Sequence, residues 1–251
     1  MDQVSNQITI IRKELEGRFS SIPSIHKPAT MSSLAQTIDH TLLKPDATTD
    51  QINKLCSEAV ENDFFAICIA PSFIMQASKR LKDTDVKIAT VVGFPTGATT
   101  TESKVFETLD AIDCGAQEID MVLHIGKLKS GMLDDVYQDI LSVVGQADTV
   151  PVKVILETCL LSTDEKIKAC ILSQMAGAAF VKTSTGFSTG GATLEDIQLI
   201  KMIVGDTMGI KASGGIKDLQ TAMKMIEAGA TRIGTSSGVS IMKEQNDKKK
   251  S

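Results

Sequence analysis

The chain has 251 residues, too many for a disulfide-stapled miniature and about the length of one (β/α)8 barrel or two small domains. Apolar residues at 42% and charged residues at 23% exclude wholesale disorder and a collagen-like fibre. The net charge is −5, and with no Trp, one Tyr and eight Phe there is little on which nucleic acid bases could stack, so nucleic acid is not an expected partner.

Ile8, Ile11, Leu15 and Phe19 share one face of residues 1–19, which predicts a helix ahead of the first strand, packed outside the fold or plugging its bottom. The first 30 residues lack the apolar block of a secretory signal, and the longest apolar run, Phe64 to Ala70, is far below the roughly 18 residues of a membrane span. A cytosolic address with no membrane partner is expected. From residue 37 onward, runs rich in β-branched and apolar residues recur at Thr37–Thr41, Phe64–Ala70, Lys87–Phe94, Glu118–Ile125, Val152–Thr158, Phe180–Gly186, Gly209–Gly215 and Arg232–Gly238. They are spaced about 28 residues apart, the length of a strand, a crossover helix and two loops. Eight such units predict an α/β protein of the TIM (β/α)8 class with an additional N-terminal helix. The expected divisions are an N-terminal extension over 1–36, a barrel over 37–242, and a polar, frayed tail over 243–251.

Between the strands, Leu219, Ala222, Met223 and Ile226 follow a helical stripe. Thr48 with Gln51 and Ser162 with Glu165 are capping boxes, and Thr193 with Asp196 is a near variant. Gly93 to Ala98 reads as a rigid turn feeding a Thr-capped helix. A weak repeat, Gly115-Ala116, Gly177-Ala178 and Gly229-Ala230, places a helix-ending glycine before the fourth, sixth and eighth strands. Alternate strands of a barrel fill one interior layer, so this register aims Asp120 and Lys182 into a common space in which Gly234 leaves room.

Lys182 and Lys211 sit inside otherwise apolar strands, where lysine is rarely buried. On consecutive parallel strands they become neighbours near the carboxyl ends, where barrel active sites form. Desolvation and the like-charge neighbour should then bring at least one of them well below the usual value of about 10.4. A neutral lysine amine attacks a carbonyl to form a Schiff base, an electron sink for an adjacent carbon–carbon bond. The bland alternative is a pair of lysines reaching to the mouth with solvated heads. Asp120 could neutralise one lysine in a plain ion pair or pass protons after attack. Asp39, beside His40 and Thr41 on the first strand, is an acid/base candidate or a turn cap.

Ser213-Gly214-Gly215 and Gly234-Thr235-Ser236-Ser237-Gly238 end the seventh and eighth strands, where barrels bind phosphate with backbone N–H groups, and Gly186 could add a third amide. Cys68 at the end of the second strand is either a mouth-facing thiol or a packed one. Five cysteines without Cys-x-x-Cys spacing and three scattered histidines, His26, His40 and His124, point to reduced thiols and to no metal and no cofactor.

The strings Ile38–Pro45, Val92–Pro95 with Gly97–Glu102, Glu118–Val122, Lys153–Thr158, Val181–Phe187, Lys211–Ile216 and Gly234–Gly238 together resemble the deoxyribose-phosphate aldolase family from about Ile38 to Met242. The resemblance implies a class I barrel aldolase that reversibly cleaves 2-deoxy-D-ribose 5-phosphate to D-glyceraldehyde 3-phosphate and acetaldehyde without a cofactor. It implies Lys182 as Schiff-base nucleophile, Lys211 as the neighbouring lysine that depresses its pKa and assists proton transfer, and Asp120 as acid/base partner. Asp39, Thr41, Cys68, Thr183, Gly186, Gly214, Gly215, Gly234, Ser236 and Ser237 are then the expected substrate contacts. Some members carry a lysine where Phe187 stands, and some end in a tyrosine proposed for proton exchange; this tail has none, which leaves water relayed by Asp120 and Lys211. The competing readings are another Schiff-base phosphosugar enzyme of the transaldolase kind and a non-catalytic phosphosugar-binding barrel. Self-association as a dimer or tetramer is expected of either enzyme.

Overall fold

The helix starts written into the sequence form as local chemistry dictates. In the computed structural model, which describes residues 3–19 and 33–250, Thr48 Oγ1 accepts from the Gln51 amide while Gln51 Oε1 accepts from the Thr48 amide at 2.9 Å. Ser162 and Glu165 repeat this reciprocal box. At Thr193 only half of it exists, because the Asp196 carboxylate turns away to Lys166 Nζ at 2.5 Å. Each cap stabilises its helix by about 1 kcal/mol.

The elements alternate as expected. α1 (Gln3–Phe19) precedes β1 (Ile38–Leu42), α2 (Thr49–Glu61), β2 (Ala66–Ile69), α3 (Ile74–Leu81), β3 (Lys87–Val92), α4 (Thr101–Asp113) and β4 (Glu118–Val122). There follow α5 (Ile125–Lys129), α6 (Leu133–Ala147), β5 (Val152–Ile155), α7 (Thr163–Met175), β6 (Phe180–Lys182), α8 (Leu194–Val204), β7 (Gly209–Ser213), α9 (Leu219–Glu227), β8 (Arg232–Thr235) and α10 (Gly238–Lys250). The eight strands are parallel and close on themselves, β1 pairing with β8 through Ile38 and Ile233. The main apolar core lies between the barrel and its helices, with Ile67, Ile119, Met121, Val154, Val181, Ile210 and Ile233 pointing outward into it. On α9, Met225 takes the buried place expected for Met223, which is half-buried.

α1 packs outside, on α6, α7 and α8, with Val4 and Ile8 buried and Arg12 paired to Asp164, so it does not plug the barrel. The side chains of Leu15 and Phe19, and all of His26, lie outside the described residues. Of the tail expected over 243–251, the described residues continue as helix. α10 runs to Lys250, anchored by buried Ile241 and by Glu244, whose Oε2 accepts from the Leu219 amide at 3.0 Å and so caps α9. The glycines of the repeat end their helices at φ +109° (Gly115), +79° (Gly177) and +121° (Gly229).

Candidate active site

The side-chain period of two along a strand turns Asp120 inward between the outward Ile119 and Met121. Its carboxylate is fully buried. Oδ1 accepts from Lys153 Nζ at 2.8 Å, and Oδ2 accepts from both Lys182 Nζ and Lys211 Nζ at 2.8 Å. The two lysines are register partners on β6 and β7, as the strand spacing predicts. Lys211 also pairs with Asp39 Oδ2, and Asp39 Oδ1 accepts from Arg232 Nη1 at 2.8 Å. Arg232 Nη1 donates to Glu118 Oε2 at 3.1 Å, and that oxygen lies 2.7 Å from Lys153 Nζ. The contacts close into a ring of alternating sign, Asp120–Lys153–Glu118–Arg232–Asp39–Lys211, from which Lys182 hangs on one oxygen. Phe65, with its ring centroid 3.5 Å from the Arg232 guanidinium, and Phe180 pack below the ring.

Burial alone would raise the Asp120 carboxyl, but Lys153, Lys182 and Lys211 outweigh it and hold the group well below the ordinary carboxylate range. Asp39 is brought to about 2 against the same desolvation, chiefly by Lys211 and then by Arg232. For Lys211 burial works against the charge, yet Asp120 and Asp39 lift the group above the ordinary lysine value. The expectation that at least one lysine of the facing pair falls below the ordinary value is therefore not met by Lys211. Weighing Asp120 alone against the lysines overlooked two more carboxylates, Asp39 from β1 and Glu118 from β4. The six-membered ring is formally neutral; Lys182 brings it to +1 as an ammonium and leaves it at zero as an amine.

The expected substrate contacts divide by position. Cys68 faces inward, with Sγ 3.9 Å from Asp120 Oδ2, and is buried beside Ala89 and Val91, so it is packed rather than displayed at the mouth; burial raises its thiol. Thr41 is half-buried on β1 and donates to the Asp39 carbonyl at 2.9 Å. The Thr183 hydroxyl is engaged with backbone, donating to the Ser213 carbonyl at 3.1 Å and accepting from its amide at 3.0 Å, which stitches the end of β6 to β7. The glycines of the expected anion nest, Gly186, Gly214 and Gly215, lie beyond the ends of β6 and β7 with φ of +85°, +85° and +79°, left-handed backbone that glycine adopts freely. Gly234 gives the clearance expected of it: a β-carbon there would stand 2.6 Å from Ser213 Oγ and 3.0 Å from Lys211 Cε. Ser236 and Ser237 precede the N-terminus of α10, with the Ser237 amide already bonded to Thr235 Oγ1 at 2.9 Å.

Several residues of the site carried no assigned role in the sequence reading. Lys153, Glu118 and Arg232 complete the ring, and the signal was there: each is a charge inside an apolar strand. Glu157 is a second case. It is buried at φ +55°, a left-handed backbone that ordinary side chains avoid, and its carboxylate accepts from the Thr185 amide and hydroxyl. Thr185 Oγ1 in turn accepts from the Phe187 amide at 3.0 Å, so Glu157 shapes the loop that carries Gly186. Phe187 meets Phe94 edge-on at 5.3 Å, which gives the turn at Gly93–Ala98 a place at the mouth beyond mere support.

Residues 33–244 match the family model described as DeoC/LacD family aldolase. The chain is 60% identical over 205 residues to a deoxyribose-phosphate aldolase of Brevibacillus brevis, across 82% of this chain and 93% of that one. It is 53% identical over 224 residues to one from Thermotoga maritima, across 89% and 90%. Among solved structures it is similar to the tetrameric deoxyribose phosphate aldolase of Aeropyrum pernix, at 32% identity and a TM-score of 0.80 over 94% of this chain and 97% of that one. A closed parallel barrel, a lysine pair sharing one buried carboxylate, and these matches have one reading: the chain belongs to the DeoC/LacD family of aldolases.

Proposed function

We propose that the chain cleaves 2-deoxy-D-ribose 5-phosphate reversibly to D-glyceraldehyde 3-phosphate and acetaldehyde, with Lys182 as nucleophile. The observation that carries this is the pendant position of Lys182. Every other cation of the cluster contacts two carboxylates, whereas Lys182 contacts the single Oδ2 of Asp120, at the last residue of β6 and below the glycine nest. Its amine attacks the aldehyde carbon C1, and loss of water gives a protonated imine. The C3 hydroxyl then gives up its proton, the C2–C3 bond breaks, and its electron pair moves into the iminium, which becomes an enamine as glyceraldehyde 3-phosphate leaves. Protonation of C2 and hydrolysis release acetaldehyde and restore Lys182.

In this reading Asp120 is the acid/base partner: its carboxylate takes up the proton that the C3 hydroxyl gives up and passes it on in the later steps, returning to the ionised form. Lys211 is a fixed cation that holds the Asp120 carboxylate in place beside Lys182. Gly186, Gly214, Gly215, Gly234, Ser236 and Ser237 form the phosphate end, where backbone N–H groups at positive φ and the start of α10 favour an anion. Asp39 and Thr41 stand beside that end on β1, the neighbour of β8, where Asp39 is the register partner of Gly234. No helix among the described residues is long and apolar enough to cross a membrane; five free cysteines accord with work in a reducing compartment, the cytosol. Self-association is part of the proposal, in line with the tetrameric relative.

Borohydride reduction in the presence of acetaldehyde tests the mechanism. An ethyl adduct on Lys182, absent from Lys182→Ala together with turnover, is expected. Turnover in Lys182→Ala at a native-like rate would dismiss it.

A further inference from the structure

Two hydroxyls in the mouth of the barrel are buried and have no hydrogen-bond partner, those of Ser184 and Ser213. Each lies two residues beyond a lysine of the pair. The ladder continues past β6, the Thr183 amide donating to the Lys211 carbonyl at 3.1 Å, and Ser213 is the last residue of β7. The strand period therefore carries both serines to the inward face, one level above Lys182 and Lys211. Contacts around the glycines agree. Ser213 Oγ and Lys211 Cε approach the same point above Gly234, and a β-carbon on Gly214 would stand 3.5 Å from Ser184 Cβ. The serines thus lie between the lysine pair and the glycine nest.

Apart from the buried Thr158 hydroxyl beyond β5, which is also unpaired, the neighbouring polar groups are already committed. The Thr183 hydroxyl is held by Ser213 backbone, the Thr185 hydroxyl by Glu157 and the Phe187 amide, and the lysines by carboxylates. Ser184 and Ser213 remain as neutral groups able both to donate and to accept. A buried hydroxyl left unpaired is unfavourable, and the cost disappears when a ligand hydroxyl pairs with it.

We propose that Ser184 and Ser213 form a subsite for the secondary alcohols of the substrate chain, those lying between the imine carbon and the phosphate, and that they set the enzyme's preference for hydroxylated acceptor aldehydes. This rests on the aldolase reading above and adds a specificity that reading does not contain. A site built to hydrogen-bond a substrate hydroxyl discriminates against the analogue lacking it more strongly than an apolar pocket discriminates by size.

The test runs in the direction of bond formation, with acetaldehyde as donor and either D-glyceraldehyde 3-phosphate or 3-phosphonooxypropanal, which lacks the hydroxyl, as acceptor. In Ser184→Ala and Ser213→Ala the ratio of the two kcat/KM values falls about tenfold each, the loss being carried by the hydroxylated aldehyde. A ratio within twofold of the native one, or equal losses on both acceptors, overturns the subsite. Reductive trapping of acetaldehyde on Lys182 in each variant reports an intact barrel independently of the acceptor. A second arm needs no variant: glycerol 3-phosphate should inhibit the native enzyme about tenfold more strongly than 3-hydroxypropyl phosphate, and equal inhibition also overturns the proposal. A native enzyme that traps acetaldehyde and joins it to both acceptors equally sinks the subsite alone. One that traps nothing sinks the aldolase reading with it.

Discussion

Replacing Asp39 by Asn removes one charge from the ring while keeping its shape. A carboxyl brought from 3.8 to about 2 on folding contributes about 2 kcal/mol at neutral pH. Stranding one partner of a buried charge network costs about 3–5 kcal/mol. Lys211 keeps Asp120 and Arg232 keeps Glu118, which puts the expected loss between these figures, at about 3 kcal/mol. The sign with pH follows from the depressed value: the contribution of Asp39 is complete above its ordinary value and is lost as pH falls from 3.8 through about 2. Urea unfolding at pH 7 and at steps down to pH 2 should show the native enzyme losing stability over that acid limb, and Asp39→Asn starting lower with a shallower limb. Adding Arg232→Met removes the opposite charge next to it in the ring, so the double variant should cost less than the sum of the two singles. A loss at pH 7 under about 0.5 kcal/mol, an unchanged acid limb or strict additivity would refute the ring as a coupled unit.

Two further predictions rest on the loops and glycines around the lysines. Glu157→Gln keeps the volume but weakens the hold on Thr185, so KM for the phosphorylated pentose should rise about tenfold while acetaldehyde trapping on Lys182 persists; an unchanged KM removes Glu157 from the positioning of that loop. Gly234→Ala puts a methyl 3.0 Å from Lys211 Cε and 2.6 Å from Ser213 Oγ and should lower kcat at least about a hundredfold, at a stability cost of about 1–3 kcal/mol by denaturant titration. Native turnover with a tolerated methyl would show that the clearance is not needed.

Much of this was legible before any coordinates. The 28-residue spacing of apolar runs gave the barrel, because a parallel strand needs a crossover of that length. Strand ends were overestimated from β2 to β8, most at β6, where polar and glycine residues continue the sequence pattern but the chain already turns. Lys182, Lys211 and Asp120 could be placed together from register alone. The protonation of Lys211 could not, since it depends on Asp39 being brought from β1 against Lys211 on β7, a contact that only closure of the barrel makes. Glu157 escaped for a different reason: its backbone conformation is imposed by the Thr185 loop rather than by its own residue type. The part of α10 after Met242 looked like a polar tail because what holds it, such as the Glu244 cap on α9, is a tertiary contact that its polar sequence does not announce.

The bond between Arg232 and Asp39 joins residues 193 positions apart. A growing or unfolded chain holds Asp39 and Glu118 long before it can offer them the guanidinium, and loop closure over that distance comes late. Seven strands without the eighth would bury two carboxylates short of their Arg232 partner, so partial barrels are penalised from within. The same groups that prepare the site for chemistry thereby make completion of the circle a condition for a stable interior.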